Sequence, residues 1–243
     1  MNDAPSHHPA RLWAELLLLF VGGPILLTVF PWVLGGGRLF PFLWISALAC
    51  MIVLFRDRSF DRGRLWIQQP TVGDAAAAGG SRRTRLLGHL GWIALRWVIL
   101  GLLIIFVYGL FAGKVVLGLR VPVEVFGLPR RMPGLFFTIA VFYPWVSVYP
   151  QNVIYRAFFC HRYAPILGGG WPMILVNAAL FSFGHFMFGN WIVLALTFVG
   201  GILFTRTYLR SGSMLLSVIE HALYGVLCFS IGIGIYLLYG AVS

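Results

Sequence analysis

The stretch VYPQNVIYRAFFCHRY, residues 148–163, decides how this chain is read. It sets two amides, Gln151 and Asn152, and a cation, Arg156, among neighbours that are otherwise largely hydrocarbon. Of the 243 residues, 60% are hydrophobic and only 10% are charged, whereas about a quarter are charged in soluble globular domains. That balance belongs to a bilayer, and it places the polar residues of 148–163 where each carries a cost unless it has a partner or a use.

Working outward from this segment, the apolar runs are long enough to cross the hydrocarbon as helices, which takes about 17 to 25 residues. Spans are expected near Leu12–Leu34, Leu39–Phe55, Leu90–Ala112, Leu135–Phe159, Trp171–Phe188, Trp191–Tyr208 and Met214–Tyr239. The expectation is an all-α polytopic membrane protein of about seven transmembrane helices. Residues 1–11 read as a polar N-terminal tail and 12–243 as a single integral membrane domain, with a flexible cytoplasmic loop over 56–88 that contains an alanine–glycine tract. The first apolar run is too long for a signal-peptide core and is expected to be retained.

The formal net charge of +11 reports topology rather than nucleic-acid binding. Arg56, Arg58, Arg62, Arg64, Arg82, Arg83 and Arg85 fall in one loop, and membrane proteins concentrate Lys and Arg on the cytoplasmic side. This sets the N-terminus inside, with the bacterial inner membrane as the expected location. Cys50, Cys160 and Cys228 lie in or beside spans and show no ligand spacing, so neither a disulfide frame nor a metal site is expected.

The ionisable and amide groups inside spans are Arg96, Asn152, Arg156, His185, Glu220 and His221. Arg96 lies close to the basic loop and reads as a snorkelling side chain, as does Glu15 near the start of the first span. Asn152 and Arg156 are four apart, so on a helix one hydrogen-bonded group could bridge them. Their bland reading is a polar clamp between helices. Two histidines on separate spans change the balance, because neutral imidazole both accepts and donates a proton. The expectation is one shared polar cleft fed by the fourth, fifth and seventh spans.

In order, QNVIYRAFF, FSFGH and SGSMLLSVIEHALYG resemble the motifs of the CPBP intramembrane proteases, which include the CAAX prenyl endopeptidases and bacteriocin-processing homologues. The resemblance covers roughly the last hundred residues. It places Arg156 at the motif arginine, Phe181 and His185 at the second motif, and His221 at the last histidine. It implies a metal-independent, cofactor-free peptidase in which a glutamate activates water, acting on membrane-anchored or C-terminal peptide segments. This sequence departs from the pattern: Gln151 and Asn152 stand at the two glutamate positions, and Gly225 stands where a polar residue usually follows the last histidine. An amide cannot take up the proton that a general base must remove from water.

Three readings therefore compete. The chain is a degenerate member that binds a membrane-anchored peptide or a membrane protein partner without cutting it, or a hydrolase with Glu220 as substitute base, or an altered form of an active enzyme. In each, Asn152, Arg156, His185, Glu220 and His221 are the candidate catalytic set, with Gln151, Phe181 and Gly225 at motif positions. The lipid bilayer is a partner in all three.

Overall fold

The computed structural model describes residues 9–29, 39–67, 82–116, 119–120, 125–234 and 236. Six helices among the described residues are long and apolar enough to cross a membrane. With one further rod, they are labelled here in chain order. Helix α1 is Pro9–Val29, with a π turn at Leu18–Gly22. Helix α2 is Leu39–Arg56 and α3 is Arg82–Phe111. The rod α4 occupies residues 133–162. Helix α5 is Trp171–Phe183, and its span continues through a 3-10 turn to Phe188. Helix α6 is Trp191–Ser211 and α7 is Met214–Ile231.

About seven spans were expected, and α4 accounts for the difference. It is helical along its whole length but segmented: Pro133–Tyr143 is followed by a π turn at Pro144–Val148, one α turn at Tyr149–Asn152, a second π turn at Val153–Phe158 and a last α turn at Phe159–Arg162. A proline ring removes one backbone donor, so a break at Pro144 has a local cause. The only strands among the described residues form a two-residue hairpin, β1 (Val115–Val116) against β2 (Leu119–Arg120), beyond α3.

Large apolar side chains such as Ile45 on α2 and Leu102 and Phe106 on α3 are exposed, as a lipid-facing surface requires. The buried core lies where α1, α2 and α4 meet α7. It contains Leu12, Leu16 and Phe20 of α1, Ala47 and Leu54 of α2, Val148, Val153, Ala157 and Phe159 of α4, and Met214 and Val218 of α7. Helices α5 and α6 approach so closely that a β-carbon added at Gly201 would lie 2.7 Å from the Ala178 Cα. The turn between α6 and α7 uses Gly212 at φ 63°, and Ser213 caps α7 by accepting from the Leu216 amide. The left-handed φ is the reason glycine suits this turn.

Polar contacts gather at the arginine-rich end. Arg162 at the end of α4 donates twice to the Glu15 carboxylate of α1, at 2.8 and 2.7 Å. Glu15 is therefore paired rather than snorkelling. His161 Nε2 lies 2.9 Å from Asp57 Oδ2 just after α2. The segment after α2 folds back over this end, with Phe60 and Leu65 buried and the Trp66 carbonyl accepting from the Ser213 hydroxyl at 2.5 Å. Of the expected loop 56–88, residues 82–88 belong to α3, and the alanine–glycine tract lies outside the described residues.

Candidate functional site

The site is built around one ring, that of Phe181 on α5. The Arg156 guanidinium carbon of α4 stands 4.5 Å from its centroid. The imidazole of His185 packs edge-on at 4.8 Å, that of His221 on α7 at 5.6 Å, and the Tyr155 ring of α4 at 5.1 Å. Phe204 of α6 stacks on His221 at 4.5 Å with an interplanar angle of 14°. Four helices thus bring the motif arginine and both histidines to one hub.

Asn152 makes the decisive contacts. Its amide nitrogen donates to the Val148 carbonyl at 2.9 Å, and its oxygen accepts from the Ser217 hydroxyl at 2.8 Å. A carbonyl can only accept, so the first of these bonds fixes which way the amide points. The same nitrogen lies 3.1 Å from His221 Nδ1, which must then be the acceptor. The imidazole of His221 is neutral there and carries its proton on Nε2. His185 has the opposite tautomer, because its Nδ1 faces the Phe181 carbonyl at 2.8 Å and must donate to it. The two histidines offer one Nε2–H and one Nε2 lone pair, with no carboxylate bonded to either among the described residues.

Arg156 is wholly buried. Its Nη1 donates to Asn177 Oδ1 at 3.3 Å, while Nε and Nη2 have no hydrogen-bond partner among the described residues. Asn177 on α5 also accepts from the Thr205 hydroxyl at 2.7 Å and donates to the Tyr155 carbonyl at 2.6 Å. That carbonyl lies inside the second π turn, where the lengthened ladder leaves backbone groups needing partners. Asn152 and Arg156 therefore serve separate partners and share no bridging side chain among the described residues.

Glu220 is turned to other work. Its carboxylate lies 2.9 Å from Arg96 Nη2 of α3 and accepts from the Thr207 hydroxyl at 2.5 Å, while Arg96 also donates to that hydroxyl at 2.9 Å. The expected snorkelling of Arg96 is corrected by this contact. Arg96 meets a buried carboxylate on α7, and pairing offsets the cost of burying either charge.

A cavity of about 740 Å³ opens between α1, α2, α4 and the end of α5. Its walls are mostly apolar, including Leu27, Leu43 and Phe229, but they also carry Tyr143, Ser147, Gln151 and His185. Asn152, Arg156 and His221 do not line it. The expected shared cleft is thus a shared packing hub, with an adjoining cavity reached by Gln151 and His185 alone of the candidate residues. Gly225 explains part of the separation: a β-carbon there would overlap the Tyr143 ring and hydroxyl, so the missing side chain makes room for a phenol that packs edge-on against His221 at 6.5 Å between centroids. Gly184 does the same for the Tyr155 hydroxyl.

Asn177, Thr207, Ser217 and Tyr143 were not singled out in the sequence. Asn177 had a legible signal, as the one amide in the otherwise apolar run of α5. Among the described residues no group of three or more His, Cys, Asp or Glu is arranged to hold a metal ion.

Residues 133–227 match a family model described as type II CAAX prenyl endopeptidase Rce1-like. Comparison with curated proteins and with solved structures gave no match.

Proposed function

We propose, from the premise that residues 133–227 form an Rce1-like domain of the CPBP/CAAX protease family, that this protein is a degenerate member of it. It holds a membrane-anchored or C-terminal peptide segment in the cavity beside Gln151 and His185 without hydrolysing it. The observation that carries this reading is the hydrogen bonding of Asn152, an amide that donates to His221 Nδ1 where the family has a carboxylate.

Hydrolysis needs a group that removes a proton from water. General-base assistance contributes roughly 10²–10⁴-fold in rate, so losing the base leaves little turnover unless another group replaces it. Glu220, the nearest carboxylate in sequence to His221, is held by Arg96 and Thr207. The remaining parts suit binding. The cavity is large and apolar, as a site for a lipidated or membrane-embedded segment should be, and it carries a few polar groups that can fix orientation. The concentration of Lys and Arg at one end supports placing that end on the cytoplasmic side, in a bacterial inner membrane on this reading.

The test uses the full chain in lipid nanodiscs with an S-farnesylated C-terminal peptide carrying a fluorophore. Wild type should bind it without cleavage. The double variant Gln151→Glu/Asn152→Glu should gain turnover. Cleavage by wild type that disappears in both His185→Ala and His221→Ala would overturn the proposal and restore an active peptidase.

A further inference from the structure

The cavity is displaced away from the arginine-rich end. Glu15 of α1, Arg56 at the end of α2 and Arg162 at the end of α4 mark that end. The lining starts at Leu18 on α1 and runs to Leu27, which lies about 18 Å further along the helix than Glu15 at a rise of about 1.5 Å per residue. On α2 it reaches the opposite terminus at Leu39. The part from α5, Gly184 to Phe188, is the far end of a span that begins at Trp171, shortly after Arg162. Towards the arginine-rich end the lining gives way to packed core on each helix: Leu16 and Leu12 on α1, Leu54 on α2, Phe159 and then Tyr163 after it, all buried and none of them in the cavity wall.

Sideways the cavity is open. Leu18 and Leu19 on α1 and Phe40, Phe42 and Val53 on α2 line it and are exposed as well, Leu18 at 72%. A side chain that belongs both to a cavity wall and to the outer surface marks a mouth. Among the described residues, the ring contacts of the two helices are made to α4: Phe20 meets Tyr155, Phe159 and Tyr163, and Trp44 stacks on Tyr149. The mouth between α1 and α2 is therefore continuous with the lipid-facing surface, and its rim is apolar. A bare polypeptide passing such a rim would leave backbone donors and acceptors without partners in hydrocarbon. A saturated chain only exchanges one hydrocarbon surrounding for another.

We infer that the cavity is entered from the bilayer: a lipid acyl chain passes between α1 and α2 from the leaflet remote from the arginine-rich end, while its headgroup stays at the surface of that leaflet. On the orientation proposed above, this is the outer leaflet. A membrane-anchored ligand is then admitted by its chain, which brings its polar part to the mouth. This rests on the reading that the cavity is a ligand site, and adds the route and the side of the membrane.

The experiment places the full chain, with a tag added at its N-terminus, sparsely in sealed vesicles. Because α1 begins beside the arginine-rich end, capture by the tag selects vesicles that present that end outwards, and the uncaptured ones present the other. The probe is a phosphatidylglycerol with a diazirine midway along one acyl chain, exchanged into the outward leaflet alone. In the uncaptured vesicles illumination should crosslink it to Leu43 and Phe188, which line the cavity and are only part exposed; in the captured vesicles these crosslinks should be lost. Gly23→Leu narrows the mouth from α1 where an added β-carbon meets nothing within 4 Å, and Ala49→Leu narrows it from the exposed wall of α2. Each should lose the cavity crosslinks, while Gly91→Leu on α3, also with nothing within 4 Å, should keep them. Equal crosslinking from both leaflets, or crosslinking from the arginine-rich side alone, would overturn the assigned side, and crosslinks that persist in both narrowed variants would overturn the route. If the S-farnesylated peptide binds but no acyl crosslink forms in the cavity, this inference fails while the cavity reading stands. If neither is seen, both fail.

Discussion

Asn177 is the residue on which the hub depends. One side-chain oxygen takes hydrogen bonds from Arg156 and Thr205, and the amide nitrogen supplies the carbonyl of Tyr155. All these groups are buried or partly buried, so removing the amide strands polar atoms that have no water to turn to. Each stranded group costs about 1–3 kcal/mol. Asn177→Leu, nearly matched in volume, should therefore destabilise the protein by at least about 2 kcal/mol. Reversible unfolding in mixed detergent micelles measures this, and a variant as stable as wild type would show that the amide is not what holds Arg156 in place. The buried guanidinium is otherwise supported by the faces of Phe181 and Phe204, at 4.5 and 5.6 Å. Cation–π contacts of this kind are worth about 2 kcal/mol or more when desolvated.

At the level of elements, packing without large side chains is decisive for α5 and α6. In a bilayer, helices associate through close packing rather than through expulsion of water, so small residues that let backbones meet matter more than apolar bulk. Gly201 against Ala178 is such a contact, with backbone at 2.7 Å from the position of an added β-carbon. Gly201→Val should cost about 1–3 kcal/mol through the forced separation of α5 from α6. Gly91→Ala on α3, where nothing lies within 4 Å, should change stability by less than about 0.5 kcal/mol. Thermal unfolding of the two variants side by side separates helix packing from a general intolerance of glycine replacement. Much of this architecture is legible in the sequence, because hydropathy over 18 or more residues is a strong signal and six spans carry it. The rod α4 was legible as apolar, and Pro144 and Pro150 mark where its ladder can open, but the sequence does not show that it opens as π turns. A π turn depends on how carbonyls and neighbouring helices settle. The motif residues were found on α4, α5 and α7, yet their partners were not. Arg96 and Glu220 meet across 124 positions of chain, a separation no local pattern encodes, and Tyr143 reaches His221 only because Gly225 leaves room.

Across the whole molecule, charge is segregated. Among the described residues the membrane interior holds the buried ion pair Arg96–Glu220 and the cation of Arg156, whereas the arginine-rich end carries the Glu15–Arg162 ion pair and the Asp57–His161 contact, which tie separate helices together. Glu15–Arg162 joins α1 to α4, and Asp57–His161 joins the end of α2 to the same part of α4. Asp57 lies just beyond α2, and its carboxyl is held down to about 2 by the hydroxyl of Ser59 first and then by His161. Because the folded value lies below the usual 3.8, the folded state binds this proton less readily than the unfolded chain does. The stabilisation is fully present above the unfolded value and is lost as pH falls through the folded one, between about 4 and 2. Asp57 is partly exposed, so solvent screening keeps the effect small. Unfolding midpoints followed from pH 6 to pH 2 should fall for wild type within that window, and Asp57→Asn should be less stable at pH 6 but show a shallower acid slope. Equal slopes in the two proteins would mean that acid acts on the carboxylates of other groups, and that the link between α2 and α4 does not depend on the charge of Asp57.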